Sequence, residues 1–157
     1  MSEAFIFDTN VLIVANDQRG DVPISIRAKC LELIRQCREG LLVLDNRWVV
    51  LNEYRAHLRE AGEPGEGDRF FRYVLSTRGD LRRCLLTPLT PHESRSFEEF
   101  PDDPRLAKFD PSDRKWIALA VSCGNIAPVY AAADYEDYRP YLKTFLEHGV
   151  RVELIEQ

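Results

Sequence analysis

One stretch near the N-terminus, residues 4–16, constrains the fold of this chain more than any other. Ala4–Phe7 is an unbroken apolar run, which is typical of a strand buried on both faces of a parallel sheet. Asp8 ends the run, and residues 11–15 then begin a helix. Ligands of open α/β sheets bind in the crevice at the carboxyl ends of the strands. Asp8 therefore stands where such folds do chemistry, although an aspartate there can also simply cap the helix.

Buried-strand patterns alternate with helical patterns along the rest of the chain. The further strands are predicted at residues 41–44, 81–86, 128–133 and 150–155, and the further helices at residues 24–39, 47–61, 69–77, 111–123 and 138–148. A glycine-rich connector is expected at 62–68 and a short acidic helix near 92–100. The alternation predicts right-handed crossovers and an α/β fold, a three-layer α/β/α sandwich with a central, mostly parallel sheet. Its 157 residues are expected to form a single domain.

Composition narrows the class of protein. The formal net charge is −5, which argues against a protein that coats nucleic acid with its whole surface, although a local basic face is compatible with a nuclease. No apolar run approaches the ~20 residues of a membrane span, and the N-terminus lacks the basic and long apolar regions of a signal peptide. The four cysteines form no C-x-x-C pair, which fits a reducing compartment, and Cys30 and Cys37 are expected to be small core residues on one helical face. We therefore expect a cytoplasmic protein with no membrane partner.

Acidic residues stand at matching places in several of these elements. Asp134 follows the strand at 128–133 as Asp8 follows the first strand, so both side chains can project into one crevice. Asp113 lies in the first turn of the helix before that strand, where it could also simply favour the helix dipole. Glu53 has a largely apolar surround on its helix, yet it could equally be solvated at the edge of the apolar stripe. Oxygen ligands without thiolate or imidazole are what Mg²⁺ or Mn²⁺ prefers.

Four segments of the chain resemble the motifs of PIN-domain nucleases. The strand-ending aspartate lies in FIFDTNVLI, and the central glutamate segment is similar to NEYR at 52–55. The helix-starting aspartate segment is similar to DRKWIALA at 113–120, and the C-terminal strand with its aspartate is similar to VYAAADYED at 129–137. The resemblance covers nearly the whole chain and implies a PIN-like fold.

The resemblance also implies a set of functional residues. The catalytic and metal-binding quartet would be Asp8, Glu53, Asp113 and Asp134. Thr9 and Asn10 would support Asp8, and Asp137 would assist or replace Asp134. Cations around the acidic crevice would grip the substrate, although each could also be an ordinary surface charge; the candidates are Arg55, Arg59, Arg114 and Lys115.

The function that follows from the resemblance is a divalent-metal-dependent endoribonuclease that hydrolyses phosphodiester bonds in RNA with Mg²⁺ or Mn²⁺. The toxin of a toxin–antitoxin pair is one form that it allows, with an antitoxin protein and a second copy of the chain as partners. The alternative is a catalytically degenerate PIN-like scaffold or binding module, since a quartet of acids does not by itself prove turnover.

Overall fold

Five parallel strands form the central sheet of the computed structural model, which describes residues 2–18, 20–133 and 135–156. The strands are β1 (Ala4–Phe7), β2 (Leu41–Asp45), β3 (Cys84–Thr87), β6 (Val129–Ala132) and β7 (Val152–Ile155), in the spatial order β3-β2-β1-β6-β7. Two short strands, β4 (Pro91–His92) and β5 (Ser96–Phe97), form a separate antiparallel pair.

The described α-helices cover both faces of this sheet. They are α1 (Thr9–Ala15), α2 (Ile24–Glu39), α3 (Val49–His57), α4 (Glu66–Thr77), α5 (Arg114–Ser122) and α6 (Leu142–Glu147). Helix α1 packs on α2 and α4, whereas α5 packs on β1, β2 and β6, and α6 packs on β7. Because crossovers between parallel strands are right-handed, α1, α2 and α4 lie on one face and α5 and α6 on the other, whereas α3 contacts α5 directly. The predicted three-layer α/β/α sandwich is confirmed.

The chain reverses its direction across the sheet at β1. It runs from β1 through β2 to β3 and then returns to β6, which pairs with the other edge of β1. Such a reversal leaves a crevice at the carboxyl ends of the two central strands, and this is where open α/β sheets bind ligands. Asp8 lies at this point, and its backbone N–H donates to the Tyr130 carbonyl of β6 at 3.0 Å.

Aromatic packing holds the end of β1 in place. Phe7 is fully buried and contacts the ring of Phe70 from α4, with 5.8 Å between centroids. The Tyr54 hydroxyl of α3 donates to the Phe7 carbonyl at 2.7 Å. The Tyr54 ring in turn stacks on Trp116 of α5 at 6.0 Å between centroids. Helices α3, α4 and α5 therefore all hold the backbone immediately before Asp8.

Two expectations for the middle of the chain need correction. Helix α3 ends at His57 rather than near residue 61, because Leu58 is extended. The segment at 62–68 is not wholly a connector, because α4 already begins at Glu66. Asp68 stabilises this arrangement: it is buried and accepts hydrogen bonds from the N–H of Arg59 (2.9 Å) and from the Asn16 side chain (2.9 Å).

The predicted acidic helix near 92–100 is wrong. The segment is the β4–β5 hairpin. The His92 ring explains the difference, because its Nδ1 atom accepts the backbone N–H groups of Ser94 (3.2 Å) and Arg95 (3.1 Å) and closes the turn. The last helix is also shorter than predicted, since a 3₁₀ turn at Arg139–Tyr141 precedes α6.

A third strand-ending aspartate, Asp45, has a structural role. It is fully buried at the end of β2. Its carboxylate accepts the backbone N–H groups of Arg47 (3.0 Å), Val49 (2.9 Å) and Val50 (2.9 Å), and so satisfies donors at the start of α3. Helix N-termini leave such donors without intrahelical partners.

We predict that Asp45→Ala lowers the free energy of unfolding by about 3 kcal/mol, because it strands several backbone donors at a buried helix start. Urea unfolding followed by circular dichroism measures the loss. Asp80→Ala is the matched control: Asp80 accepts the Arg82 N–H at 2.9 Å in an exposed turn, so its loss should cost about 1 kcal/mol or less. Equal losses in both variants would contradict the assigned role of Asp45.

Candidate metal site

Asp8 is a buried carboxylate at the mouth of the crevice, with 7% of its surface exposed. Its Oδ1 atom accepts the Asn10 backbone N–H at 3.2 Å, so it does cap α1. Its Oδ2 atom accepts the Tyr138 hydroxyl at 2.7 Å. Burial raises the pKa of Asp8 above its usual value in spite of these two donors. The two hydrogen bonds therefore offset only part of the cost of burying the Asp8 charge.

Three further aspartates converge beside Asp8. One carboxylate oxygen from each of Asp110, Asp113 and Asp137 lies within 4.8 Å of the others. Burial raises the pKa of Asp113 to about 7, and the negative charges of Asp8, Asp110 and Asp137 add to the rise, against the opposing charge of Lys115. The cluster draws its members from the end of β1, the turn before α5 and the turn after β6.

Glu53 lies on α3 near this cluster, but each of its carboxylate oxygens contacts a basic side chain. Its Oε1 atom lies 2.9 Å from Lys115 Nζ, and its Oε2 atom lies 3.1 Å from His57 Nε2. Glu53 also raises the pKa of Asp8, whereas Lys115 lowers it. The structure thus brings Glu53 near Asp8 as the predicted quartet requires, with Lys115 as its partner.

Asp134 lies outside the described residues, and so does any contact of its side chain. Asp137 lies in the 3₁₀ turn Tyr135–Asp137, close to Asp110 and Asp113; that it assists or replaces Asp134 stays a prediction.

Thr9 and Asn10 differ in what they contribute. Asn10 supports Asp8 through its backbone N–H, as described above. The Thr9 hydroxyl is buried, and Oγ1 has no hydrogen-bond partner among the described residues. A buried hydroxyl without a partner is costly, so the Thr9 hydroxyl is available to a further hydrogen-bond partner.

The predicted substrate-binding cations differ in how accessible they are to a substrate. Arg114 is buried, and its guanidinium donates to the carbonyls of Phe109, Ala107 and Ser94 at 3.0–3.3 Å. Arg114 therefore holds the loop before α5, and its donors are not free for phosphate. Arg55 is exposed and pairs with Glu60 at 2.5 Å. Arg59 is exposed, but it lies beyond the end of α3 and not on the helix of Glu53 as predicted. Lys115 binds Glu53.

Tyr138 and Asp110 are site residues that the sequence reasoning did not identify. Asp110 caps the turn before α5, accepting the Ser112 N–H at 2.9 Å, and a capping residue of this kind gives no sign in the sequence of its place in the cluster. Tyr138 reaches Asp8 across 130 positions of sequence, and no local pattern signals such a contact.

These residues fit a divalent cation. The ligand atoms are carboxylate oxygens, which suit Mg²⁺ or Mn²⁺. Asp8 is desolvated, Asp113 is repelled by its neighbours, and the Thr9 hydroxyl is unpaired. A cation among them would relieve the repulsion and compensate for the buried charge.

No protein-family model, no curated protein and no solved structure matches this chain. The resemblance to PIN-domain nucleases therefore remains a prediction from the sequence motifs.

The raised pKa of Asp113 predicts how stability depends on pH in metal-free buffer. Its folded-state pKa of about 7 lies above the unfolded value of 3.8, so the folded protein binds the proton more tightly. Stability should fall as pH rises through this window and stay low above it. Asp8 adds a fall of the same sign, because its pKa is also raised.

We expect Asp113→Asn to flatten this profile and to melt above wild type near pH 8 in chelator, since the neutral amide removes the repelled charge. Melting temperatures over the pH range from about 4.5 to about 8 test this. Asp102→Asn, at an 85% exposed side chain, is the control and should follow wild type. A steeper decline in Asp113→Asn than in wild type would contradict the electrostatic assignment.

Proposed function

We propose that this chain is a divalent-metal-dependent endoribonuclease whose active site is the carboxylate cluster at the ends of β1 and β6. The observation that carries the proposal is the convergence of Asp110, Asp113 and Asp137 within 4.8 Å of one another, with the buried Asp8 at the reversal point of the sheet close enough to act on the pKa of Asp113. Burial, with the repulsion of Asp8, Asp110 and Asp137 added to it, raises the pKa of Asp113 to about 7. A fold keeps such an unfavourable cluster most readily where it serves a function.

Asp8, Asp113 and Asp137 would hold Mg²⁺ or Mn²⁺, with Asp110 beside them and with Glu53 and Asp134 as the further ligands that the sequence motifs imply. A divalent ion in such a site activates water and neutralises charge on a phosphodiester.

The neighbouring residues would keep the ligands in position. Tyr138 and the Asn10 N–H orient the two oxygens of Asp8. The Tyr54 hydroxyl, bound to the Phe7 carbonyl, holds the backbone that precedes Asp8. Catalytic groups need such support, because small misplacements cost large factors in rate.

RNA would approach over α3 and the chain just after it, where Arg55 and Arg59 are exposed. Arg55 lies on the same helix as Glu53 and Arg59 lies just beyond the end of that helix, so they would contact phosphates next to the cluster despite the overall charge of −5. Phosphate contacts of this kind position a nucleic acid without reading its sequence. The preference for RNA over DNA rests on the family resemblance alone.

The same resemblance supports a role as the toxin of a toxin–antitoxin pair in the cytoplasm, with an antitoxin and a second copy of the chain as partners. In the described part of the chain, every helix is too short or too polar to cross a membrane.

A degenerate, non-catalytic PIN-like scaffold is the second candidate. The salt bridge between Glu53 and Lys115, at 2.9 Å, favours it, because a ligand that is already neutralised binds a metal less readily. Turnover distinguishes the two candidates.

Metal binding should raise the melting temperature, since the ion binds the folded cluster and not the unfolded chain. We expect Mn²⁺ or Mg²⁺ at about millimolar concentration, roughly a hundredfold above Kd, to stabilise the protein by about 2.7 kcal/mol. Asp8→Asn should lose most of this increase, whereas Asp102→Asn should keep it. Differential scanning fluorimetry with and without chelator makes the measurement. An equal increase in wild type and Asp8→Asn would place the metal elsewhere.

Cleavage is the decisive prediction. The protein should cut a mixed pool of structured and single-stranded RNA when Mg²⁺ or Mn²⁺ is present. Asp8→Asn should reduce the rate by about 100-fold or more, as expected when several kcal/mol of transition-state stabilisation are lost. RNA affinity should change little, because the exposed arginines remain.

Gel-based cleavage, with chelator and Asp102→Asn as controls, tests this. Equal cleavage by wild type and Asp8→Asn would point to a contaminant or to another site. If metal binds but neither RNA nor single-stranded DNA is cut, the scaffold is the better description.

A further inference from the structure

Lys115 occupies an unusual place for a lysine. It lies in the first turn of α5 with only 13% of its side chain exposed. Its ammonium donates to Glu53 Oε1 at 2.9 Å and to the Ser112 carbonyl at 2.6 Å. The Glu53 contact joins α3 to α5 across 62 positions of sequence.

A cation in this position is unfavourable unless neighbouring carboxylates compensate for its charge. The N-terminal end of a helix carries partial positive charge and favours anions, and lysine is rarely this buried without a partner. Asp8 and Asp113 both respond to the Lys115 charge, which lowers the pKa of each. Lys115 therefore acts as a positive charge for the cluster as a whole as well as for Glu53.

The Lys115 ammonium binds the same Glu53 oxygen atom that a metal ion on Glu53 would bind. Glu53 Oε1 binds Lys115, and its other oxygen contacts His57 at 3.1 Å, so both oxygens of Glu53 already have basic partners. A divalent ion on Glu53 would have to displace Lys115, because two cations on one carboxylate oxygen repel each other. The lysine can move aside, since its side chain is a flexible four-carbon stem.

The neighbouring basic residue, Arg114, cannot replace Lys115 as the cation that binds Glu53. Arg114 precedes Lys115 but donates to the Ala107 and Phe109 carbonyls of the loop before α5 and to the Ser94 carbonyl of the β4–β5 hairpin. It is also held over the Phe100 ring at 5.1 Å. The charge that can be exchanged for a metal ion is thus that of Lys115.

We propose that Lys115 is a built-in competitor of the divalent ion: it neutralises Glu53 in the metal-free protein and must leave Glu53 when metal binds. It stabilises the empty carboxylate cluster and lowers the metal affinity of the site. This inference rests on the metal site of the proposed function, but not on nuclease activity.

Lys115→Met tests the proposal, because methionine keeps much of the apolar stem and removes the charge. The probe is Mn²⁺ without nucleic acid, titrated by isothermal calorimetry. Lys115→Met should bind Mn²⁺ about tenfold more tightly than wild type, within the usual range of coupling between two sites. Lys115→Arg keeps the charge and should stay near wild type. Lys143→Met, at an exposed position on α6, is the matched control and should also match wild type.

A second background isolates the contact with Glu53. In Glu53→Gln the carboxylate is gone, so adding Lys115→Met should no longer raise Mn²⁺ affinity by the same factor. Thermal melting separates competition from a merely structural role. Lys115→Met should melt below wild type in chelator and recover most of the difference in saturating Mn²⁺, whereas a structural lysine would lower both values equally.

Unchanged or weaker Mn²⁺ binding by Lys115→Met overturns the proposal, and so does a tenfold gain that persists in Glu53→Gln. Absence of Mn²⁺ binding in every variant overturns the metal site and this inference together. Tighter binding by Lys115→Met without RNA cleavage by wild type supports the competitor role and overturns only the nuclease activity.

Discussion

The desolvated carboxylate of Asp8 is the constraint on which the rest of this structure depends. A buried charge is costly unless donors or cations compensate for it, and the Tyr138 hydroxyl and the Asn10 N–H supply only part of that compensation. The surrounding helices stabilise Asp8 in different ways. Helix α3 holds the strand end through Tyr54, and α5 brings Lys115 close enough to lower the pKa of Asp8.

Charge balance links the stability of the protein to its proposed chemistry. The cluster contains more carboxylates than bases, and Lys115 offsets part of the excess through Glu53. Two other buried aspartates accept hydrogen bonds from backbone N–H groups instead: Asp45 from the start of α3, and Asp68 from the chain between α3 and α4. The distinction is physical, because a carboxylate that already accepts three N–H groups keeps few of its roughly four lone-pair sites for a metal.

Local patterns predicted most of the secondary structure, and non-local contacts account for the exceptions. Strand β1 and helix α2 have the predicted bounds, since an apolar run and a 3.6-residue period are read from neighbouring residues. The segment at 92–100 is a hairpin because the His92 ring binds two backbone N–H groups. Asp8 interacts electrostatically with both Glu53 and Asp113, whereas the place of Asp110 in the cluster and the contact of Tyr138 with Asp8 depend on how distant turns pack.

The sequence by itself determined the layer architecture and placed Asp8 at the carboxyl end of a buried strand, because burial and periodicity act over a few residues. Only the tertiary structure decided the partners of each side chain. It paired Lys115 with Glu53, committed Arg114 to carbonyl groups and brought Tyr138 to Asp8. Coulomb energies and desolvation depend on distances between segments far apart in the chain, and a linear pattern does not contain those distances.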